Sequence, residues 1–344
     1  MVKKVVLLLI VFVITGIAAL GYGYKLQQRK LAQPLALEAE RSLLIAKGTG
    51  FGRFAQQLAA QGLIDDPLWL RIEAKLHPAI TRIKAGEYRV APGMSLRQLL
   101  QRVLAGDTIA YSFTIIEGMT FRQLQAALRA NEVLEQRAST MSEAQLLAHL
   151  GSDAEALEGL FLAETYHFER GMSDLQLLRR AHDLLRQFLH QAWEERAQGL
   201  PYGSPYEALI MASIIEKETG VPEERGKIAG VFVRRLQRGM RLQSDPTVIY
   251  GMGERYAGRI TRADLRRPTP WNTYLIDGLP PTPIALVGRE AIRAALHPAE
   301  GEALYFVAKG DGTHRFSNTL EQHNRAVRQY QLQRRADYRS SPGE

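Results

Sequence analysis

The sequence predicts an α+β protein that begins with a transmembrane helix, and three observations support this. Residues 5–24 are apolar and uncharged, residues 41–108 alternate short strand and helix patterns, and residues 109–333 combine long helical patterns with strands and loops. We therefore expect a short tip and anchor at 1–24, a linker or helical stalk at 25–40, a small α+β module, and a larger mixed α+β domain.

The apolar segment VVLLLIVFVITGIAALGYGY follows Lys3 and Lys4 and is long enough to span a bilayer as a helix. A cleaved signal peptide would have a shorter apolar region and a site of small residues. Leu20, Tyr22 and Tyr24 spoil such a site, and the tyrosines suit a membrane interface. We expect an uncleaved single-pass anchor, although similar numbers of basic residues on both sides leave its orientation open.

Composition restricts the partners. The 344 residues carry a net charge of +8, include no cysteine, and intersperse basic with acidic residues without a nucleic-acid-binding motif. Disulfides and thiolate metal sites are therefore excluded, nucleic acid is not an expected partner, and an anionic polymer near a membrane is favoured. His314 and His323 lack a third close ligand, so we expect neither a metal nor a cofactor. The tail, 334–344, is expected to be disordered.

The small module, residues 41–108, has a strand-helix-helix-strand pattern. RSLLI predicts the first strand, and Phe51, Phe54 and Leu58 share one face of a predicted helix. A second apolar helical pattern follows Gly62, and AGEYRV predicts the second strand.

Two similar segments, PGMSLRQLL and EGMTFRQLQ, each predict the start of a helix. Ser95 or Thr120 can cap the helix while Gln98 or Gln123 completes a capping box. The alternating segment TIAYSFTIIEG between them predicts a strand that links the module to the larger domain.

The segment MASIIEKETG contains the strongest catalytic candidate. With helical spacing, Glu218 shares an apolar face with Met211 and Ile214, whereas Glu216 is expected to be the ordinary carboxylate of the two. Gly220 is expected to end the helix in a left-handed conformation. The helix dipole and partial burial would both raise the pKa of Glu218, as a general acid requires. A solvated glutamate at a frayed helix end is the alternative.

The next helix is expected to begin at Pro222, with Glu223 and Glu224 in its first turn, and to end at Gly239. Arg235 falls on the apolar face of this helix. We expect it to pair with a carboxylate in a structural role.

The last third of the chain is rich in loops whose Pro, Gly, Asn, Thr, Tyr and Trp residues suit a sugar-binding groove. Within it, Ser244 to Thr247 also fits a helix cap, which leaves a purely structural role open for these residues.

A series of motifs occurs in order along nearly the whole chain: AGEYRV, EGMT, ASIIEKET, VFVRRLQRGMRLQSDPTVIYG, NTY, GLPPTPI, HPA and YFVAKGDGTHRFSNTLEQHN. Together with the anchor they make the chain similar to the MltG/YceG-like endolytic murein transglycosylase family. The resemblance implies a single-pass inner-membrane protein with a LysM-like module at 41–108 and a YceG-like catalytic domain at 109–333 that faces the periplasm.

The resemblance also implies a chemistry. A lytic transglycosylase cleaves the MurNAc-GlcNAc bond within peptidoglycan glycan strands and leaves 1,6-anhydro-MurNAc ends, without a cofactor. The family's catalytic glutamate in the EKET motif maps onto Glu218, which would act first as general acid and then as base. Association with peptidoglycan synthases at the membrane is also implied. We expect the following residues to bind substrate: Glu164, Asp245, Thr247, Asn272, Tyr274 and His314.

Two positions depart from the family pattern. Ala163 and Glu164 stand where Pro-Asp is common, and Arg234 stands where Asn is common. Two alternatives to a lytic transglycosylase stay open. A muramidase would hydrolyse the same bond with Glu164 or Asp245 as its second carboxylate. A non-catalytic scaffold would bind the cell wall and recruit synthases.

Overall fold

The computed structural model describes residues 2–332, so the expected disordered tail lies outside the described residues. The chain divides into two compact units. Of the described residues, the first unit contains 2–111 together with 167–171, and the second contains 112–166 and 172–332.

The first unit begins with helix α1, Val2–Ala32, which is apolar and long enough to cross a membrane. The expected linker at 25–40 begins as the last turns of this helix. Leu31 and Leu35 are buried in the core of the first unit, so this part of the chain belongs to the folded unit.

The predicted strand-helix-helix-strand order is confirmed. It consists of β1 (Arg41–Ile45), α2 (Phe51–Ala60), α3 (Leu68–Leu76) and β2 (Gly86–Val90), followed by α4 (Leu96–Ala105). The two strands pair antiparallel, with Leu43 opposite Tyr88. Phe54, Leu58 and Leu99 are fully buried between the strands and helices, which leaves the polar face of each helix in water.

A two-stranded sheet connects the two units along the chain. It pairs β3 (Ala110–Thr114) with β4 (Thr165–Glu169). The linking strand predicted after residue 107 is therefore confirmed.

The second unit contains most of the helices and one further hairpin. Its elements are α5 (Phe121–Arg129), α6 (Glu143–Leu150), α7 (Asp174–Glu194), α8 (Pro205–Glu218), α9 (Pro222–Gln237), α10 (Asp245–Met252), α11 (Arg262–Leu265), α12 (Arg289–Leu296), β5 (Tyr305–Ala308), β6 (His314–Ser317) and α13 (Leu320–Val327). The capping boxes of Ser95 with Gln98 and of Thr120 with Gln123 are both confirmed.

Helix α8 lies at the centre of the second unit. Its residues from Ala208 to Glu216 are all buried, and α7, α9, α10 and α12 pack around it. A helix that is apolar on every side needs such an enclosed position, since no face of it is suited to water. The last residue of this helix is Glu218, so a rigid, enclosed element positions that carboxyl at the edge of the core.

Candidate active site

Glu218 ends helix α8 and is only partly exposed. The expectation that Gly220 would end this helix in a left-handed conformation is wrong. Thr219 leaves the helix with extended backbone, φ −150° and ψ 137°. The next helix begins at Pro222 as predicted, only four residues after Glu218, and ends at Gln237, two residues before the predicted Gly239, which has a left-handed φ of 65°. The extended exit is what this short connection between two helices requires.

Ser244 holds the carboxylate of Glu218. Its hydroxyl donates to Glu218 Oε1 at 2.6 Å. Ser244 occupies the N-cap position of α10, but its side chain makes no capping bond to its own helix. Ser244 thus has the extended N-cap backbone conformation that the sequence suggested, but its hydroxyl donates to Glu218 instead of to its own helix.

Asp245 and Tyr274 form the next part of the site. The Tyr274 hydroxyl donates to Asp245 Oδ1 at 2.7 Å, and Asp245 directly follows the serine that bonds Glu218. Both the aspartate and the tyrosine are partly or fully exposed. The structure therefore brings three of the predicted site residues together as two hydrogen-bonded pairs, Glu218 with Ser244 and Asp245 with Tyr274, joined by the peptide bond between Ser244 and Asp245. These four residues are here called the Glu218 group.

Thr247 and Asn272 lie beneath this group. They are 0% and 1% exposed. The Thr247 hydroxyl donates to the carbonyl of Ser244 at 2.7 Å and lies 2.8 Å from the hydroxyl of Thr273. The Asn272 side chain accepts from the N–H of Tyr274 at 3.0 Å. Their burial favours a role in holding the site loops, and direct substrate binding by them stays a prediction.

Arg235 lies close to the site on helix α9 and is buried. The prediction that Arg235 pairs with a carboxylate is wrong. Its guanidinium instead donates to the carbonyls of Leu304 at 2.7 Å and Leu242 at 2.8 Å. It also donates to the side-chain oxygen of Gln243 at 3.3 Å. Carbonyl oxygens rather than a carboxylate accept the hydrogen bonds of this guanidinium, because two loop segments, one at Leu242 and one at Leu304, converge on it. This supports the structural role.

Gln243 is the one non-glycine residue within 2–332 with a positive φ, at 53°. A left-handed conformation costs such a residue on the order of 1–2 kcal/mol. Its N–H donates to the carbonyl of Thr273 at 3.1 Å, and its side chain accepts from Arg235. These bonds maintain a strained turn that directs the following residue, Ser244, towards Glu218.

Burial raises the pKa of Glu218 to about 7. The bond from Ser244 and the positive charge of Arg235 act in the opposite direction, whereas the charge of Asp245 raises the pKa further. The raised pKa was expected from the helix end and partial burial, and burial is the largest cause. The carboxyl can therefore hold and release a proton near neutral pH.

The expectation that Glu216 is the ordinary carboxylate of the pair is wrong. Its side chain is only 3% exposed and pairs with Arg225 at 3.2 Å, and the N–H of Gly288 donates to it at 2.9 Å. The amphipathic assignment assumed that one face of α8 meets water, whereas neighbouring helices cover both faces. Gly288, whose N–H bonds Glu216, also lies close to Glu117: a Cβ on Gly288 would be 1.9 Å from Glu117 Oε1, so a side chain there would collide with that carboxylate.

Glu164 and His314 make other contacts. Glu164 directly precedes strand β4 and pairs with Arg289 at 3.1 Å on the surface. His314 Nδ1 lies 2.7 Å from Glu224 Oε2, and both side chains are nearly buried. Within residues 2–332, neither of them forms a hydrogen bond or an ion pair with Glu218, and their substrate-binding role stays a prediction.

Three residues of the site, Ser244, Thr273 and Gln243, were not predicted from the sequence. Only the position of Ser244 next to Asp245 could have pointed to it, since a serine at a helix start is usually explained as a cap. Within residues 2–332, no group of three or more histidine, aspartate or glutamate side chains could hold a metal ion.

Comparison with known proteins assigns the family. The YceG-like family model matches residues 43–329, which is most of the chain and includes every residue of the site described above. The chain belongs to the YceG-like family.

Relatives in this family are similar over long stretches. An endolytic murein transglycosylase of Bacillus subtilis is 29% identical over 339 residues, which cover 90% of each chain. One of Streptococcus pneumoniae is 26% identical over 96% of this chain and 65% of its own length. The crystal structure of a YceG-like protein from Listeria monocytogenes covers 83% of this chain and 98% of its own, with 29% identity and a TM-score of 0.50.

Proposed function

We propose that this chain is a membrane-anchored lytic transglycosylase that cleaves peptidoglycan glycan strands internally. The names of its relatives in Bacillus and Streptococcus support this reaction class. The observation that carries the proposal is Glu218, an acid at a helix end whose pKa burial raises to about 7 and whose carboxylate accepts a bond from Ser244.

Protonated Glu218 donates its proton to the oxygen that bridges MurNAc and GlcNAc, and the bond between this oxygen and MurNAc C1 breaks. The carboxylate so formed takes the proton from the C6 hydroxyl of the same MurNAc, whose oxygen then bonds to C1. The products are a GlcNAc hydroxyl and a 1,6-anhydro-MurNAc end. Glu218 regains its proton and no water is consumed, so one carboxyl can perform both steps.

Ser244 stabilises the carboxylate that exists between these two steps. A hydrogen bond from a hydroxyl to a charged oxygen is stronger than one between neutral groups. The bond from Ser244 therefore stabilises Glu218 most after the first proton has left. Asp245 and Tyr274, partly exposed beside it, are proposed to bind the sugar, with Thr247, Asn272, His314 and Glu164 completing or supporting the groove.

The proposal extends to the layout of the chain. Helix α1 anchors the protein in the inner membrane as a single span, with the catalytic domain at 109–333 in the periplasm and a LysM-like module at 41–108 before it. The fold of the first unit supports the assignment of this module, because its two strands pair antiparallel and two helices lie between them in the sequence. Association with peptidoglycan synthases is proposed from the family resemblance.

The test is mass spectrometry of purified glycan strands after incubation with the full-length protein, with Glu218→Gln, and with Glu223→Gln as matched control. Glu223 is an exposed glutamate in the first turn of α9, and its replacement by glutamine removes the same kind of carboxyl group. We expect internal fragments with 1,6-anhydro-MurNAc ends from the wild type and the control, and none from Glu218→Gln. Cleavage by Glu218→Gln at the wild-type rate would refute the assignment.

Hydrolysis of the same bond is the second candidate, because Asp245 provides a second carboxylate whose charge acts on Glu218. A hydrolase would leave reducing ends, which differ in mass by one water from anhydro ends. If folded wild-type protein binds strands without cutting them, the chain is instead a wall-binding scaffold.

A further inference from the structure

The second unit carries a strongly basic surface segment that the proposed reaction does not use. Residues 253–267, here called the arginine segment, hold five arginines and only two carboxylates, which leaves a net charge of +3. All five arginines are exposed: Arg255, Arg259, Arg262, Arg266 and Arg267.

Both carboxylates of the segment are engaged with other groups. Glu254 pairs with Arg122, outside the segment, and Asp264 accepts from the N–H and hydroxyl of Thr261 in a capping box. The charge of Asp264 also acts on Arg255 and Arg267, without a direct ion pair to either. Within the described residues 2–332, none of the five arginines forms an ion pair with a carboxylate within 4.0 Å. The segment therefore presents several unneutralised guanidinium groups to solvent.

The beginning of the arginine segment is connected to the active site through α10. This helix starts beside Ser244, which bonds Glu218, and ends at Met252, where the segment begins. A Cβ on Gly251 would lie 2.5 Å from the hydroxyl of Thr269, so α10 packs directly against the chain that leaves the segment. Only glycine allows this approach.

The end of the segment is connected to the same site through Asn272. Its side-chain amide donates to the carbonyls of Leu265 at 3.2 Å and Arg267 at 2.8 Å, and its oxygen accepts from the N–H of Tyr274. Tyr274 in turn bonds Asp245. The loop that carries the arginines thus continues from the helix that starts next to Ser244, and its far end is held by Asn272, which also bonds Tyr274.

Guanidinium groups match carboxylates in shape and charge, and exposed arginines retain this capacity. In peptidoglycan, the MurNAc residues carry stem peptides with free carboxylates, so a glycan strand at Glu218 would bring such groups near the bound sugars. Resting on the proposed function, we propose that the arginine segment binds stem-peptide carboxylates and directs the enzyme to glycan that still carries peptides. An anionic membrane would also attract arginines, but the connections to the Glu218 group favour the substrate.

The experiment measures binding of the full-length protein in detergent to two substrates, namely glycan strands with stem peptides and the same strands after an amidase has removed them. The test variant is Arg262→Gln, Arg266→Gln and Arg267→Gln together. The matched control is Arg179→Gln, Arg238→Gln and Arg328→Gln, three exposed arginines outside the segment.

We expect the wild type to bind peptide-bearing strands more tightly than amidase-treated strands. The ratio of the Kd for amidase-treated strands to the Kd for peptide-bearing strands should fall about tenfold in the test variant, since each exposed ion pair contributes modestly. The control should keep the wild-type ratio. Added salt should reduce the preference of the wild type, because exposed charges are screened.

A wild-type ratio retained by the test variant would overturn the inference, as would an equal loss of affinity for both strands. Reduced binding of the test variant to phosphatidylglycerol vesicles, with an unchanged strand ratio, would assign the segment to the membrane and also overturn it. If the wild type binds but cuts neither strand, the proposed function fails, while the Kd ratio still decides the inference.

Discussion

Replacing Glu218 with glutamine should remove a specific part of the pH dependence of stability. In the folded protein burial raises the pKa of this carboxyl from 4.5 to about 7. The folded state then binds the proton more tightly than the unfolded state does. The contribution of protonated Glu218 to the free energy of unfolding is therefore fully present below pH 4.5 and is lost as the pH rises through about 7.

The size of this contribution follows from the two pKa values. At about 1.4 kcal/mol for each pH unit, a rise from 4.5 to about 7 corresponds to about 3 kcal/mol. Glutamine cannot ionise, so the free energy of unfolding of the wild type, relative to Glu218→Gln, should fall by about 3 kcal/mol between pH 4.5 and pH 8. Other groups titrate in both proteins, and their effects cancel in the difference.

The assay is urea unfolding of the full-length protein at several pH values between 4.5 and 8, followed by tryptophan fluorescence. A Trp69→Phe background removes the first unit's tryptophan and leaves Trp193 and Trp271, which report on the second unit. Glu223→Gln in the same background is the control and should follow the wild-type curve. Parallel curves for wild type and Glu218→Gln would show that burial does not raise the pKa of Glu218 as argued.

Three further predictions concern other contacts. Ser244→Ala should shift the upper pH limit of kcat/KM upward by about one unit, because a hydrogen bond to a charged group contributes about 1.5–3 kcal/mol; an unshifted limit would exclude this role of Ser244. Glu216→Ala should lower the free energy of unfolding of the second unit by about 2 kcal/mol, because it leaves Arg225 with Glu117 as its one ion-pair partner within residues 2–332 and the buried N–H of Gly288 without its acceptor, and urea unfolding unchanged from wild type would contradict this. Leu99→Ala should cost about 2–5 kcal/mol in the first unit alone, and Trp69 fluorescence during urea unfolding tests whether the loss is confined there.

Local interactions made parts of this fold predictable. The capping boxes at Ser95 and Thr120 depend on residues three positions apart, and the helix from Pro222 depends on its own proline and first-turn glutamates. The position of Glu218 at a helix end was predictable for the same reason. In each case the signal lies within one turn of the feature that it determines.

Long-range packing accounts for the errors. Glu216 was assigned to an ordinary face because the sequence does not show that α8 is enclosed on all sides. Arg235 meets carbonyls of segments up to 69 residues away, and no local pattern identifies them. Ser244 was missed because a serine before Asp-Pro fits a helix cap equally well, and only the folded chain shows its hydroxyl on Glu218.

The division of the first unit between two stretches of chain affects the order in which it can be completed during synthesis. Buried Glu87 accepts from the Tyr111 hydroxyl and from Arg170, both at 2.6 Å, and Arg170 is translated well after the rest of the unit. At about 5–20 residues per second, the ribosome needs roughly 3 to 12 seconds to extend the chain from 111 to 171. During that interval a nascent first unit has only part of the partner set for its buried carboxylate, and a fragment that stops at residue 111 would retain this defect permanently.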